Sequence, residues 1–238
     1  YGGVWQLLAA PSLPHAIAVP AQLDANSPRT ASTIDWSLLR HRDLWLVTLS
    51  YAAYGYFQYL FFYWMDYYFK TVLNVPNVDA RQSTFIILLA QGVGMALGGW
   101  STDGICRRLG VRAGRRAIVM TGMSLGAAFA LAALAFDSRM EVTIALALSM
   151  GVLGICEGVF WTTATDIGGR SRGFCGAFMN AGGNVGGLLS PVLTPAMATT
   201  LGWPGAIAVA CAISAIGGLV WMGIRLQAEA TETRNVEA

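Results

Sequence analysis

The chain has 238 residues, 55% hydrophobic and 12% charged, with a mean hydropathy of +0.53. A soluble domain carries roughly a quarter charged residues, so much of this surface must face lipid instead of water. The net charge of +2 sits in short basic loops, which excludes a groove-sized patch for nucleic acid.

Residues 1–43 hold Pro11, Pro14, Pro20 and Pro28, and a proline every few residues stops a helix from propagating. A cytoplasmic connector is expected there, with a short interfacial helix from residue 33 that sets Trp36 and Trp45 near the headgroups. A helix rises 1.5 Å per residue, so roughly 20 apolar residues cross the hydrocarbon core. Six segments qualify or nearly do: 44–67, 84–100, 118–136, 142–165, 174–197 and 203–224. Together they predict an all-α membrane protein, a six-helix bundle over 44–224 followed by a polar cytoplasmic tail over 225–238. Of the 15 lysines and arginines, twelve fall on one side of this arrangement, at 29–42, 107–116, 170–172 and 225–234. Only Lys70, Arg81 and Arg139 fall on the other, which places both termini in the cytoplasm and the chain in the cell inner (plasma) membrane.

Small residues recur four apart inside the spans: Gly94 and Gly98, Gly122 and Gly126, Gly182 and Gly186, Gly183 and Gly187. Such pairs let helix backbones approach closely where the hydrophobic effect cannot drive association. Cys106, Cys156, Cys175 and Cys211 form no CxxC pair and have no histidines at metal spacing, so neither a disulfide nor a metal nor another cofactor is implied.

Polar side chains inside a bilayer are costly, so each asks for a reason. In the first span Tyr51, Tyr54 and Gln58 share one stripe, and Gln58 either faces a solute or bonds a neighbouring helix. In the fourth, Glu157 is the single deep carboxylate, with Trp161 one turn on. It is either a candidate proton carrier or a permanently protonated group bonding another helix. Asp66, near the outer end of the first span, reads as interfacial. The fifth span reads Asn180-Ala-Gly-Gly-Asn184-Val-Gly-Gly187, then Pro191 and Pro195. Two carboxamides one turn apart on a deformable helix suit the hydroxyls or carboxylates of a small polar solute, and helix-to-helix bonding explains one of them better than two. The two histidines, His15 and His41, lie outside the spans and Glu157 has no second carboxylate or nucleophile beside it, so no enzyme constellation is present.

Between spans two and three runs Gly99-Trp-Ser-Thr-Asp103-Gly-Ile-Cys-Arg107-Arg108-Leu-Gly110-Val-Arg112-Ala-Gly114-Arg115-Arg116, read as a loop in which Asp103 ends the helix. It resembles the Gly-x-x-x-Asp…Gly-Arg-Arg signature of the major facilitator superfamily, with extra residues between Asp103 and Arg115. Tyr54-Gly-Tyr-Phe-Gln58-Tyr, Glu157-Gly-Val-Phe-Trp161 and Asn180…Asn184-Val-Gly-Gly…Pro191 are, in that order, similar to helices 7, 10 and 11 of the anion:cation symporter family. The resemblance covers roughly 36–225. It implies the C-terminal half of a twelve-helix transporter, built from two inverted three-helix repeats. It also implies alternating access and secondary transport of a small organic anion, such as a sugar acid, with the proton as co-substrate. Gln58, Trp161 and Asn180 would line the cavity, with Tyr54, Glu157 and Asn184 beside them. Gly99, Asp103, Arg107, Arg108, Arg115 and Arg116 would form a cytoplasmic gate, Asp103 lying near Gly173. The family's N-terminal six-helix bundle, which supplies the cation that meets the substrate and the main proton-coupling carboxylates, is absent from this chain. The chain is therefore expected to be a fragment or one partner of a dimer. The alternative is a self-contained, six-span homodimeric pore or transporter.

Overall fold

A computed structural model describes residues 35–225. The connector expected over 1–43 thus lies outside the described residues as far as residue 34, and the tail from 226 onward. Asp35 accepts the Ser37 amide at 3.0 Å and caps a 3-10 helix, Trp36–Arg40, where the sequence predicts a short helix. Hydrogen bonds from the Ser37 hydroxyl and amide hold the Asp35 carboxyl below its ordinary value.

Six α-helices follow among the described residues, and these contain no strand. They are α1 (Arg42–Tyr67), α2 (Asn77–Leu109), α3 (Val111–Ala133), α4 (Arg139–Ile155), α5 (Glu157–Gly168) and α6 (Arg172–Leu219). These helices do not correspond one to one with the six predicted crossings. α4 and α5 share the fourth predicted segment, interrupted at Cys156, whose amide turns back to Leu153 O instead of continuing the α pattern. α6 carries the fifth and sixth segments, divided at Gly202, whose φ of 71° lies outside any α-helix and is open to glycine at low cost.

By length and composition three stretches are able to cross a membrane: Asn77–Leu109, Val111–Ala133 and the nearly continuous helical run Arg139–Gly223. The run holds 85 residues, which drawn out straight would measure about 125 Å, far beyond a core of about 30 Å. It is interrupted at Gly169–Ser171 and at Gly202.

The connection between α2 and α3 differs from expectation. Asp103 does not end a helix, because α2 continues through Leu109 and α3 starts at Val111, leaving Gly110 alone between them. Gly110 has φ 82°, so one residue makes the whole turn. Arg107 and Arg108 then occupy the last turn of α2, where cations complement the helix dipole. A run dense in glycine and arginine looks like a loop, but its arginines are good helix formers and its only required break is Gly110.

α1 packs chiefly on α6, and α2 chiefly on α4. Both pairings depend on glycine. A Cβ on Gly186 would overlap the Ala52 carbonyl, one on Gly55 the Gly183 carbonyl, and one on Gly94 the Gly151 carbonyl. All eight glycines of the predicted four-residue pairs meet a neighbouring helix: Gly98 meets Ile155, Gly122 meets Cys156, Gly126 meets Ser149, Gly182 meets Thr48 and Gly187 meets Tyr59. The buried residues form one continuous core that includes Tyr54, Phe57, Met123, Phe160 and Trp221, with Ser50 accepting from Trp221 Nε1 at 3.0 Å and donating to Gly217 O at 2.7 Å.

Candidate functional site

The close approach of α1 and α6 places side chains of their facing stripes around a small, open recess. α1 contributes Tyr51, Gly55, Gln58 and Tyr59; α6 contributes Asn180, Gly183 and Asn184. The i, i+7 spacing of Tyr51 and Gln58 puts both on the same side of α1. The i, i+4 spacing of Asn180 and Asn184 does the same on α6. Gly55 and Gly183 form the floor, where any side chain would separate the helices.

The carboxamides differ in how they are engaged. Asn184 Nδ2 donates to the Asn180 carbonyl at 2.9 Å, and its Oδ1 accepts from the Tyr59 hydroxyl at 3.4 Å. Among the described hydrogen bonds none involves the side chain of Gln58 or of Asn180, although both are half-buried on the recess. Each of these carboxamides presents a carbonyl acceptor and two N–H donors to whatever enters.

Behind Tyr51 lies a second polar group. The Tyr51 hydroxyl donates to Glu157 Oε1 at 2.6 Å, and Trp161 Nε1 donates to the same oxygen at 2.9 Å from the next turn of α5. Glu157 Oε2 is buried with no hydrogen-bond partner. Tyr54 stacks on Tyr51, the ring centroids 5.4 Å apart, and packs edge-on against Phe160.

Gln58, Asn180 and Asn184 therefore meet at one recess, whereas Trp161, Glu157 and Tyr54 reach it only through Tyr51. Tyr54 is fully buried and forms no part of the lining; being i+3 from Tyr51, it is rotated away toward the core. Trp161 is 39% exposed, beside the recess and not in it. Sequence reading leaves out Tyr59 and the buried Gln91 on α2, and it puts Tyr51 in the polar stripe without a role. Gln91 was detectable, since it interrupts an apolar run just as Gln58 does. Asp66 pairs with Lys70 one turn on.

The basic run between α2 and α3 divides. Arg115, in the second turn of α3, pairs with Asp166 near the end of α5 at 2.6 Å, and Arg116 donates to the Ile224 carbonyl at 3.0 Å. Asp103, Arg107 and Arg108 are exposed, and among the described residues they take part in no ion pair. Gly99 has open space around it.

Long apolar helices, held together through glycine contacts around a recess lined by polar groups, mark an all-α membrane protein. The family model of the Major Facilitator Superfamily matches residues 104–238, more than half of the chain, and the chain belongs to that superfamily. It is also similar to the probable sulfoacetate transporter SauU of Cupriavidus necator, 31% identical over 143 residues. That match covers 59% of this chain and 33% of the relative, so the chain spans about a third of the length of the curated relative it matches.

Proposed function

We propose that the chain supplies the C-terminal six-span bundle of a secondary transporter for small organic anions, working by alternating access in the inner membrane with both termini cytoplasmic. The observation that carries this reading is the pair of free carboxamides, Gln58 on α1 and Asn180 on α6, turned toward one recess. A dry helix contact would have paired them with each other or with backbone, because a polar group without a partner in a membrane bundle is costly. Solute binding explains why they are left available.

The pairing of helices supports two inverted three-helix repeats. If α4–α5 repeats α1, and the first part of α6 repeats α2, then the repeat exchanges the α1–α6 contact with the α2–α4 contact. Those are the two principal contacts of the bundle, and both are closed by glycine against a backbone carbonyl. Under this reading residues 44–224 are one bundle and 1–43 and 225–238 its cytoplasmic flanks. The relative named for sulfoacetate, a small molecule with two acidic groups, supports an anionic solute. The proton is the proposed co-substrate and Glu157 its candidate carrier. The cation that would meet the anion, and with it the other wall of the cavity, belongs to an N-terminal six-helix bundle outside this chain.

A cytoplasmic gate at Gly99, Asp103, Arg107, Arg108, Arg115 and Arg116 finds its support at Arg115 and Arg116, the two that bind other elements.

The test is to reconstitute the full-length gene product in vesicles and measure uptake of sulfoacetate and of sugar acids under an inward proton gradient. Combining Gln58→Ala with Asn180→Ala is expected to remove uptake while leaving the protein monodisperse and folded. Wild-type uptake by the double variant would sink the site.

A further inference from the structure

We propose that Tyr51 couples solute binding to proton uptake at Glu157, because its one hydroxyl hydrogen serves either the carboxylate or an anion in the recess, never both. This deepens the reading of the recess as an organic-anion site and rests on it.

A phenol has a single O–H to donate. Here that hydrogen goes to Glu157 Oε1, while Tyr51 itself lines the recess together with Gln58 and Asn180. Coupling requires that rotation about the C–O bond, with the ring unmoved, turn the hydroxyl hydrogen toward the recess. The inner side of Glu157 is prepared for the change. Glu157 Oε2, Tyr54 Oη and Gln91 Nε2 are all buried without a hydrogen-bond partner, and the Tyr54 hydroxyl neighbours both the Glu157 carboxyl and the Gln91 carboxamide. Three helices thus bring three unpaired polar atoms to one place, which native interiors do rarely and for a reason.

When a carboxylate or sulfonate enters the recess and accepts the Tyr51 O–H, the bond from Tyr51 to Oε1 breaks and Glu157 keeps only Trp161 as donor. One proton, given up by a buffer acid or hydronium in the bulk whose conjugate base stays in solution, then adds to Oε2. The new O–H donates to Tyr54 Oη, whose second lone pair accepts from Gln91 Nε2. Apart from the proton's transfer from its bulk carrier, no covalent bond forms or breaks. The added proton offsets one negative charge of the entering anion, which lowers the cost of placing that charge in the low-dielectric bundle. Release reverses each step. The titratable groups facing Glu157 are Tyr51 and Tyr54 on α1 and Cys156 on its own turn. From α2 the uncharged Gln91 neighbours the Tyr54 hydroxyl, and from α6 Gly176 sits against the Trp161 ring. Among the described residues no cation pairs with Glu157, so the Tyr51 hydrogen bond has no competitor of that kind.

The experiment uses the full-length protein in nanodiscs. Calorimetry with sulfoacetate in two buffers of different ionisation enthalpy gives the protons taken up per anion. Wild type is expected to take up protons on binding. Glu157→Gln keeps the Oε1-type acceptor but cannot be protonated, and is expected to bind without that uptake, as is Tyr51→Phe. Wild-type uptake by Glu157→Gln would overturn the coupling while leaving the recess intact. Binding that ignores Gln58→Ala plus Asn180→Ala would overturn the recess, and the coupling with it. A measurement without solute makes the coupling testable whatever the probe does. Tyr51→Phe removes the donor as an anion would, so the infrared carbonyl band of a protonated carboxyl, assigned by its loss in Glu157→Gln, should gain intensity at neutral pH relative to wild type. An unchanged band overturns the proposal.

Discussion

Asn180 and Asn184 stand one turn apart on the same helix face, yet only one is free to act. Asn184 spends its amide on the Asn180 carbonyl and its oxygen on Tyr59. Asn180 has no such commitments among the described hydrogen bonds, and it faces Gln58 across the recess. A hydrogen bond to a charged partner is worth about 1.5–3 kcal/mol, which is roughly 10- to 100-fold in affinity. Asn180→Ala is therefore expected to raise the half-saturating solute concentration in vesicle uptake by about that factor. Asn184→Ala, which mainly loosens its own helix turn, should change it only by about twofold, the effect of a few tenths of a kcal/mol. Equal effects at the two positions would mean that the difference in their bonding has no bearing on transport. The sequence shows both asparagines but not this difference, because i, i+4 spacing says they share a face and nothing about which one bonds backward.

At the scale of the helices the same limit recurs. Small residues four apart mark where helices touch, and every one of those glycines does meet a neighbour. Their partners were not legible: nothing in the spacing says that Gly94 meets Gly151 or that Gly186 meets Ala52, since a small-residue pattern describes one surface and not its complement. The helix ends were misread at Asp103 for a related reason. Charge and glycine raise a loop signal, while the stop is decided by the one residue that must adopt positive φ, Gly110. The break at Cys156 has no compositional mark at all. Close contact does allow a clear test. Gly94→Ala and Gly186→Ala force a methyl group against backbone and should each lower the stability of the purified protein by about 1–3 kcal/mol. Gly92→Ala and Gly99→Ala, with open space around them, should leave the melting temperature unchanged or slightly raised, because alanine favours a helix by roughly 0.5–1 kcal/mol. The Arg115–Asp166 pair joins α3 to the end of α5 but is half-exposed on the aspartate side, 52%. Asp166→Asn should therefore cost less than about 1 kcal/mol in the same thermal assay, and a larger loss would mean the pair bears more of the fold than its exposure allows.

For the whole molecule, the division of charge and the helix lengths make one joint prediction. Twelve of the 15 basic residues fall on what would be a single side, and the stretch Arg139–Gly223 is too long to cross once. If that stretch turns at Gly169–Ser171 and at Gly202, then Gly110 and Arg170 share the basic face, while Asn74 and Asp137 share the opposite one. In a full-length protein with every cysteine replaced by alanine, new cysteines at Asn74 and Asp137 should react with an impermeant maleimide added outside intact cells. Cysteines at Arg112 and Arg170 should react only after the membrane is opened. Labelling of Arg112 and Arg170 from opposite sides would break the six-span count, because an even number of crossings must separate them. Labelling of both from outside would keep the count and invert the orientation, and the positive-inside reading would then fail on its own.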